Sequence, residues 1–203
     1  MKKFIAIICV FILSYNLNAQ DVSSKKWFSL GMRSTGSIFS DDGFGIGTGG
    51  QFRIQFSQRV NSDWFADYIS ININNKVKSD YAHIGWSVLF YPFKNLLYPN
   101  FFQPYILAGH CFDYNKKTAI SFPDISKDRW GSAVQAGIGT HFNITERFDV
   151  SLTTQYMIHL TSEINFKEDN YGKIEFYTHS HSTLEGHLLT TISINYKIFR
   201  YGK

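Results

Sequence analysis

The sequence predicts an all-β fold, an eight-stranded antiparallel up-and-down transmembrane β-barrel, and three observations support this prediction. Apolar and polar residues alternate with a period of two in segments of about ten residues, a pattern typical of membrane strands. Charged residues make up 18% of the chain, below the roughly 25% of soluble domains, whereas aromatic residues make up 17%. The connections between segments alternate between short turns and longer polar loops.

The N-terminal residues 1–19 are predicted to be a secretory signal peptide rather than part of the fold. Lys2 and Lys3 precede a largely apolar run, and Ala19 offers a small residue at the cleavage position, although Leu17 stands where a second small residue is preferred. The apolar run is shorter than the roughly 20 residues that a transmembrane helix needs. Residues 20–203 are therefore assigned to a barrel domain, with a retained N-terminal anchor as the alternative.

Composition argues against two other features of the mature chain. Removal of residues 1–19 takes away two lysines and lowers the formal net charge from +4 to +2, which does not favour a nucleic-acid partner. Cys111 is the single cysteine that remains, so no disulfide can form within the mature chain. No later stretch is long and apolar enough for a membrane-spanning helix, and a closed barrel is the other structure that satisfies every backbone hydrogen bond in lipid.

The eight predicted strands show the alternation with unequal clarity. It is clearest in residues 188–198, where Ile192 and Ile194 share one face and Ser193 shares the other with Asn195 and Lys197. Residues 28–38, 44–56, 83–91, 134–144 and 148–161 repeat the division. Two segments are less regular. In residues 64–74 the apolar face is marked by Ile69, Ile71 and Ile73 but interrupted by Asp67, and in residues 103–114 it is assigned to Pro104, Ile106, Ala108 and Phe112.

The connections between these segments alternate in length. Short turns are predicted at residues 61–63 and 145–147, with an apolar link at residues 94–101. Polar loops are predicted at residues 40–43, 75–80, 115–130 and 167–185, although the alternation in residues 173–177 favours a strand for part of the last one. Short turns at one end and longer loops at the other are typical of outer-membrane barrels. With an even number of strands, both termini are expected on the short-turn, periplasmic side.

The composition of the polar face favours a barrel whose apolar face contacts lipid over a soluble lipocalin-type barrel with an apolar interior. A soluble exterior should be rich in Lys and Glu, whereas this face is mostly Gly, Ser, Thr, Gln and Asn. Aromatic residues at the strand ends are expected to form two girdles at the membrane interfaces. One girdle comprises Trp64, Phe65, Phe93, Phe101, Phe102, Phe148, Tyr196 and Phe199, and the other Phe39, Phe44, Tyr81, Phe112, Tyr114 and Phe166.

These features, together with the Pro-Tyr-Ile-Leu-Ala-Gly stretch of residues 104–109, resemble the OmpA/OmpX-type small outer-membrane β-barrel family over residues 27–199. The resemblance implies a fold, a location in the bacterial outer membrane, and contact with outer-membrane lipid and the barrel insertion machinery. It does not imply an activity. One departure concerns the insertion signal, because such barrels often finish on a Phe that continues the apolar face, whereas here Ile198 holds that face and Phe199 follows out of phase.

The polar face also predicts a network of side chains inside the barrel. Charges in a narrow interior must be paired or hydrated, so the network is expected to fill the lumen and to hold the strand register. A narrow pore or proton path is the functional alternative. The residues assigned to this network are Arg33, Arg53, Gln55, His83, Gln135, His141, Asp149, Gln155, His159 and Lys197.

The segment around residues 177–187 is the local feature that most suggests chemistry. His179 and His181 share one face of an extended strand and could bind Zn²⁺ or Cu²⁺. Ser180, Ser182 and Glu185 beside them supply the residue types that outer-membrane lipid A deacylases use, although that family's local motif is not matched. A polar loop rim is the preferred interpretation, so no catalytic, cofactor-binding or metal-binding residue is assigned and no cofactor is expected.

The function predicted from the sequence is that of a non-enzymatic integral outer-membrane protein with a structural or surface-interaction role. Any surface ligand is expected to bind through residues 115–130 and 167–185, because loops longer than a hairpin needs usually bind something or are disordered. A narrow porin-like channel is the second hypothesis, and a lipid A-modifying enzyme is the third. An eight-stranded interior is only just wide enough for side chains, which disfavours free passage of nutrients.

Overall fold

The computed structural model describes residues 26–39, 43–93, 101–162, 164–169, 172–178 and 186–202. The predicted signal peptide lies outside these residues. In the described part of the chain, no helix has the length and apolarity that crossing a membrane requires. The strands are β1 (Lys26–Phe39), β2 (Gly43–Gln55), β3 (Val60–Ile73), β4 (Val77–Phe90), β5 (Phe102–Ala119), β6 (Phe122–Asn143), β7 (Phe148–His159), β8 (Ile164–Glu168), β9 (Ile174–Thr178) and β10 (Gly186–Tyr201).

Eight of these strands, β1 to β7 and β10, form a closed antiparallel barrel. Each barrel strand pairs with the barrel strands that precede and follow it in the chain, and β1 also pairs with β10. The first and last barrel strands, β1 and β10, pair from Lys26 with Tyr201 to Phe39 with His187, and this pairing removes the free sheet edges. The predicted all-β, eight-stranded up-and-down barrel is therefore confirmed. The strands β8 and β9 form a separate two-stranded hairpin inserted between β7 and β10.

The barrel exposes its apolar face and buries its polar face. Met32 and Ile138 are 78% and 66% exposed on the outside, whereas Thr35 and Ser79 are fully buried on the inside. A soluble barrel of the lipocalin type would show the opposite distribution, because water must contact its exterior. The arrangement is that of a barrel surrounded by lipid, as the composition of the polar face predicted.

Strand β3 departs from the predicted division of faces. Its three isoleucines, Ile69, Ile71 and Ile73, point into the barrel and are buried, so they do not belong to the lipid-facing surface. Phe65 and Tyr81, which were expected in the aromatic girdles, are also buried inside. The reason is that the interior becomes apolar towards the loop end, where these side chains pack against one another in a single hydrophobic cluster.

The long connection predicted at residues 115–130 is mostly strand. Strand β5 continues to Ala119 and β6 begins at Phe122, so a tight turn at Ile120 and Ser121 replaces the expected loop. Charged residues face each other across this hairpin, as in the pair of Lys116 and Asp128. Their polar character suggested a loop, but opposite charges paired across two strands also stabilise a sheet that extends into water.

The loop predicted at residues 75–80 is likewise shorter than expected. Strand β4 begins at Val77, and the turn is made by residues 74–76. Asn74 and Asn75 have φ values of 51° and 57°, in the left-handed region that asparagine tolerates better than most residues. In the last predicted loop, the strand expected at residues 173–177 is present as β9, but it pairs with β8 rather than extending the barrel.

We expect the neighbouring glycines Gly49 and Gly50 of β2 to respond differently to alanine. A Cβ at the inward-facing Gly49 would overlap the backbone oxygen of Ala66 and lie 2.9 Å from the Cα of Asp67, whereas at the outward-facing Gly50 the nearest atom is 3.8 Å away. Gly49→Ala should therefore destabilise the barrel by about 1–3 kcal/mol through overpacking, with Gly50→Ala nearly neutral. Urea unfolding in lipid vesicles measures both, and equal losses would contradict the close packing at Gly49.

Candidate functional site

The interior near the turn end is organised around Arg53 of β2. Its Nε lies 2.7 Å from Oδ1 of Asp63, and its Nη1 lies 3.3 Å from Oδ1 of Asp149. The strands β2 and β3 are neighbours and β7 lies across the lumen, so one guanidinium connects opposite walls. All three side chains are largely removed from solvent, and the planar guanidinium can serve two carboxylates at once.

Neutral side chains complete this group of charges. The imidazole of His141 lies 2.6 Å from the Ser151 hydroxyl through Nδ1 and 2.8 Å from the Tyr91 hydroxyl through Nε2. The amide of Asn195 donates to Oδ1 of Asp149 at 2.8 Å. These contacts link β6 and β7 to β10 and to the end of β4, so the polar network ties distant strands together at fixed register.

A cavity of about 580 Å³ opens at the turn end, and we call it the vestibule. Buried Arg53, Asp149, His141 and Tyr91 contribute to its lining, together with polar and aromatic residues from the strand ends and turns. The vestibule is lined by Trp27, Ser29, Arg53, Gln55, Gln58, Asn61, Tyr91, Phe101, Gln103, His141, Asn143, Ile144, Thr145, Glu146, Asp149 and Lys197. Its volume is that of a small-molecule site.

The middle of the lumen is filled by a second layer of polar contacts. Arg33 binds Asp67 through Nε at 3.0 Å, and its guanidinium carbon lies 4.5 Å from the centroid of the Phe65 ring. Gln135 receives a hydrogen bond from Gln155 at 2.9 Å. The cavity left in this layer is about 20 Å³, which has room for about one water molecule.

Two histidines contact one carboxylate above this layer and a third adjoins them, and we call this group the histidine cluster. Oδ2 of Asp113 lies 2.7 Å from Nδ1 of His159, and Oδ1 lies 3.3 Å from Nε2 of His83. His187 continues the chain, because its Nδ1 lies 3.1 Å from Nε2 of His159. Arg129 approaches Asp113 at 3.5 Å from the β6 side.

Two interior residues of this cluster, Asp113 and His187, were not predicted from the sequence. Asp113 lies in the irregular segment 103–114, where only the apolar face was assigned, and His187 was considered only with the loop before it. The position of Asp113 could have predicted its place in the interior, because it directly follows the outward-facing Phe112 and therefore points inward in a strand.

Among the described residues no group of three or more His, Cys, Asp or Glu has the geometry to hold a metal ion.

Apolar side chains, which we call the apolar plug, pack inside the barrel at the loop end beside the buried polar residues Ser79, Asn115 and Lys117. Inside the barrel it contains Ile69, Ile71 and Val77, which are almost completely buried. The β8–β9 hairpin covers it with Ile174, against which Phe166 and other partly buried apolar side chains pack. An ion pair between Lys76 and Glu168 connects the hairpin to the β3–β4 turn.

The ten residues predicted for the lumen network all lie on the inner face, but at different depths. Arg53, His141 and Asp149 form the floor of the vestibule, and Gln55 and Lys197 lie on its wall. In the wall, Gln55 accepts a hydrogen bond from the Trp27 amide at 3.1 Å, and Lys197 donates to Asn143 at 3.1 Å. The middle layer contains Arg33, Gln135 and Gln155, and the histidine cluster contains His83 and His159.

The predicted chemistry around residues 179–185 lies outside the described residues, so the geometry of His179, His181, Ser180, Ser182 and Glu185 does not enter the site.

The described loop-end surface presents apolar side chains. Ile120, Phe122 and Trp130 of the β5–β6 hairpin and Tyr177 of β9 are exposed. The centroids of the Trp130 and Tyr114 rings lie 4.9 Å apart, so two aromatic rings are in contact where the hairpin leaves the barrel.

We expect the barrel to conduct no ions above background in a planar bilayer. The middle layer leaves space for about one water, and apolar side chains such as Ile69, Ile71 and Val77 occupy much of the loop end beyond it. Single-channel recording of the purified protein measures this directly. Stable conductance steps that disappear when the protein is omitted would show that the filled lumen opens, and the channel hypothesis would then lead.

Comparison with known proteins identifies the architecture through structure rather than sequence. No family model and no curated protein matches the sequence significantly. Neisserial surface protein A matches with a TM-score of 0.56 at 9% identity, over 87% of this chain and 100% of that one. Ail, the attachment invasion locus protein of Yersinia pestis, matches with a TM-score of 0.51 at 12% identity, over 86% of this chain and 98% of that one.

A third structural match is also an outer-membrane protein. A major outer membrane protein of Thermus thermophilus has a TM-score of 0.57 at 7% identity, over 84% of this chain and 99% of that one. At these identities the likeness concerns the fold and not the activity. The closed eight-stranded barrel with an exposed apolar wall thus has the fold of the OmpA/OmpX-type small outer-membrane β-barrels, the family that the sequence resembles.

Proposed function

We propose that the protein is an integral protein of the bacterial outer membrane that binds a surface ligand or partner through its loop-end hairpins and has no enzymatic activity. In this proposal both termini and the vestibule face the periplasm, and the β5–β6 and β8–β9 hairpins face the outside of the cell. The even number of barrel strands places both termini at one end of the barrel, and the β5–β6 and β8–β9 hairpins lie at the other, which supports this orientation.

The observation that carries the proposal is the length of the β5–β6 hairpin. Strand β6 contains 22 residues and β5 contains 18, whereas a tilted strand needs about 9–11 residues to cross the membrane. Roughly half of β6 therefore extends beyond the bilayer. Such an extension is not needed to close the barrel, and a rigid hairpin presents side chains at lower entropic cost than a flexible loop.

The chemistry of the hairpin tip suits a contact surface. Ile120 and Phe122 are exposed at the turn, with Lys116, Lys127 and Asp128 on the strands beside them. Exposed apolar anchors with a polar surround are the usual composition of protein interfaces. Among the structural matches, Ail has been crystallised with the heparin analogue sucrose octasulfate, which supports testing glycan ligands first.

We expect removal of the hairpin extension to abolish surface binding without unfolding the barrel. Replacing residues 116–128 by Asn-Gly joins Asn115 directly to Arg129, which are paired in the native register, through a turn suited to a two-residue hairpin. Binding is measured with protein in lipid nanodiscs against immobilised heparin and a glycan array. The barrel should remain folded because β1 to β4, β7 and β10 are untouched.

A point variant controls for this deletion. Ile120→Ser combined with Phe122→Ser keeps the hairpin and its charges but removes the exposed apolar tip, so we expect it to weaken binding. A conservative Lys127→Arg variant, which keeps both the tip and the charge, should bind like the wild type. Full binding by the deletion variant would instead assign the function to the lumen or to the lipid-facing wall.

The absence of enzymatic activity is tested separately on lipid A. Wild-type protein and a variant with Ser180, Ser182 and His181 replaced by alanine should leave the same lipid A species in the membrane, as measured by mass spectrometry. Loss of an acyl chain that depends on these residues would replace the proposed function with the lipid A-modifying alternative.

A further inference from the structure

The vestibule has a feature that the proposed surface contact does not use. It opens at the end of the barrel opposite the hairpins and encloses about 580 Å³, within the range of roughly 300–1,000 Å³ that is typical of small-molecule sites. The middle layer closes its inner end, so it is a blind pocket rather than a passage. A molecule that enters from the turn end can only bind and leave by the same mouth.

The charged groups of the vestibule are compensated by one another. Arg53 is held between Asp63 and Asp149, as described above. At the mouth Glu146 faces Arg200 at 3.7 Å. Lys197 on the wall adds one positive charge, which offsets the second of the two carboxylates beside Arg53, so the charges around the vestibule sum to zero and favour a neutral occupant.

The remaining wall is made of groups that both donate and accept hydrogen bonds. Five carboxamides line the vestibule, with hydroxyl groups and the aromatic rings of Trp27 and Phe101 among them. The carboxamides belong to Gln55, Gln58, Gln103, Asn61 and Asn143. Carboxamides beside aromatic rings match a ligand whose polar edge both donates and accepts and whose carbon skeleton presents an apolar face.

Two buried acceptors in this lining lack a donor. Oδ2 of Asp149 and Oδ1 of Asn61 are inaccessible to solvent and have no hydrogen-bond partner within the described part of the protein. Both residues are at least nine-tenths buried, and the other oxygen of Asp149 already serves Arg53 and Asn195. Because these two atoms are sealed from solvent, they lie beneath the surface of the vestibule, and the partly exposed carboxamides of the wall are the groups that an occupant meets.

We propose that the vestibule binds a small neutral ligand rich in hydroxyl groups, of the size of a mono- or disaccharide. Its hydroxyls exchange hydrogen bonds with the carboxamides of the wall, while Trp27 and Phe101 contact the less polar face of the sugar ring. The proposal does not depend on the hairpins, so a failure of the surface-binding experiment leaves it unaffected.

The test is a titration of the full chain in lipid nanodiscs, which leave both ends of the barrel accessible. Glucose, maltose and N-acetylglucosamine are the saccharide probes, and spermidine and sulfate are the charged comparisons, with binding followed by calorimetry and by NMR shifts. We expect saturable binding of at least one saccharide, with shifts confined to vestibule residues. Absence of saturable saccharide binding, or tighter binding of spermidine or sulfate, would overturn the proposal.

Three variants locate the site. Asn61→Leu removes one carboxamide of the lining at nearly constant volume and should weaken saccharide affinity about tenfold, the effect of one lost hydrogen bond. Gln58→Trp, at an exposed position of the mouth, should block entry without disturbing the interior and covers the case in which Asn61→Leu does not fold. Gln135→Leu, at a buried carboxamide of the middle layer, should bind like the wild type. Unchanged affinity in the first two variants, or equal loss in all three, would contradict binding in the vestibule.

Discussion

Replacing Arg53 by methionine is expected to destabilise the barrel by about 3–5 kcal/mol, because it leaves two buried carboxylates without their shared cation. The side chain is 5% exposed and contacts Asp63 at 2.7 Å and Asp149 at 3.3 Å. Methionine fills a similar space without a charge. Urea unfolding of the protein in lipid vesicles, followed by tryptophan fluorescence, measures the change in the free energy of unfolding.

A surface ion pair of the same barrel serves as the control for Arg53. Lys78 binds Asp80 at 3.0 Å, but its side chain is half exposed, so Lys78→Met should cost less than about 1 kcal/mol. Adding Asp63→Asn and Asp149→Asn to Arg53→Met should recover part of the loss, since the unpaired charges are then removed as well. Equal effects of Arg53→Met and Lys78→Met would show that the floor of the vestibule is hydrated and contributes little to stability.

Replacing Ile192 by arginine is expected to destabilise the barrel by about 2–4 kcal/mol, because it places a charge on the lipid-facing wall near the bilayer midplane. Ile192 lies near the middle of β10, is 55% exposed, and pairs with Ser34 and Leu152 on the neighbouring strands. Ile192→Leu, which keeps the site apolar, should change the stability little. The same urea titration in vesicles measures both variants.

The inward neighbour of Ile192 makes the comparison specific to the face of the strand. Ser193 is buried and accepts a hydrogen bond from Gln51 at 3.2 Å, so Ser193→Arg is limited by the space in the lumen rather than by transfer into lipid. Changing the thickness of the bilayer should therefore alter the cost of Ile192→Arg and leave that of Ser193→Arg unchanged. The same dependence on bilayer thickness at both positions would contradict the assignment of the two faces.

The architecture of the barrel could be predicted from the sequence because it rests on local patterns. Alternation places Ile192 and Ser193 on opposite faces from the order of residues alone, since successive side chains of a strand point to opposite faces. The number of strands followed from counting such segments. The polar composition of the inner face then distinguished a barrel in lipid from a soluble one.

The contacts inside the barrel could not be predicted in this way. Whether Asp113 meets His83 and His159 depends on how the strands are registered against one another and on the closure of β1 against β10. These are relations between residues far apart in the chain, and the alternation of each strand is the same for every register that shifts by two residues. The sequence therefore predicted that charges buried in the lumen would be paired, but not which residues would pair with each other.

The loop end shows most clearly the difference between what local patterns predict and what tertiary contacts decide. Polar residues at 115–130 and isoleucines in β3 were interpreted by their composition, as a loop and as an outer face, whereas tertiary structure made the first a paired hairpin and the second a buried plug. Local polarity reports what a residue can contact but not which neighbour covers it. By itself the sequence determined an eight-stranded barrel with an apolar wall; the apolar packing at the loop end and the vestibule were decided only when the strands closed, because a cavity is bounded by side chains from many strands at once.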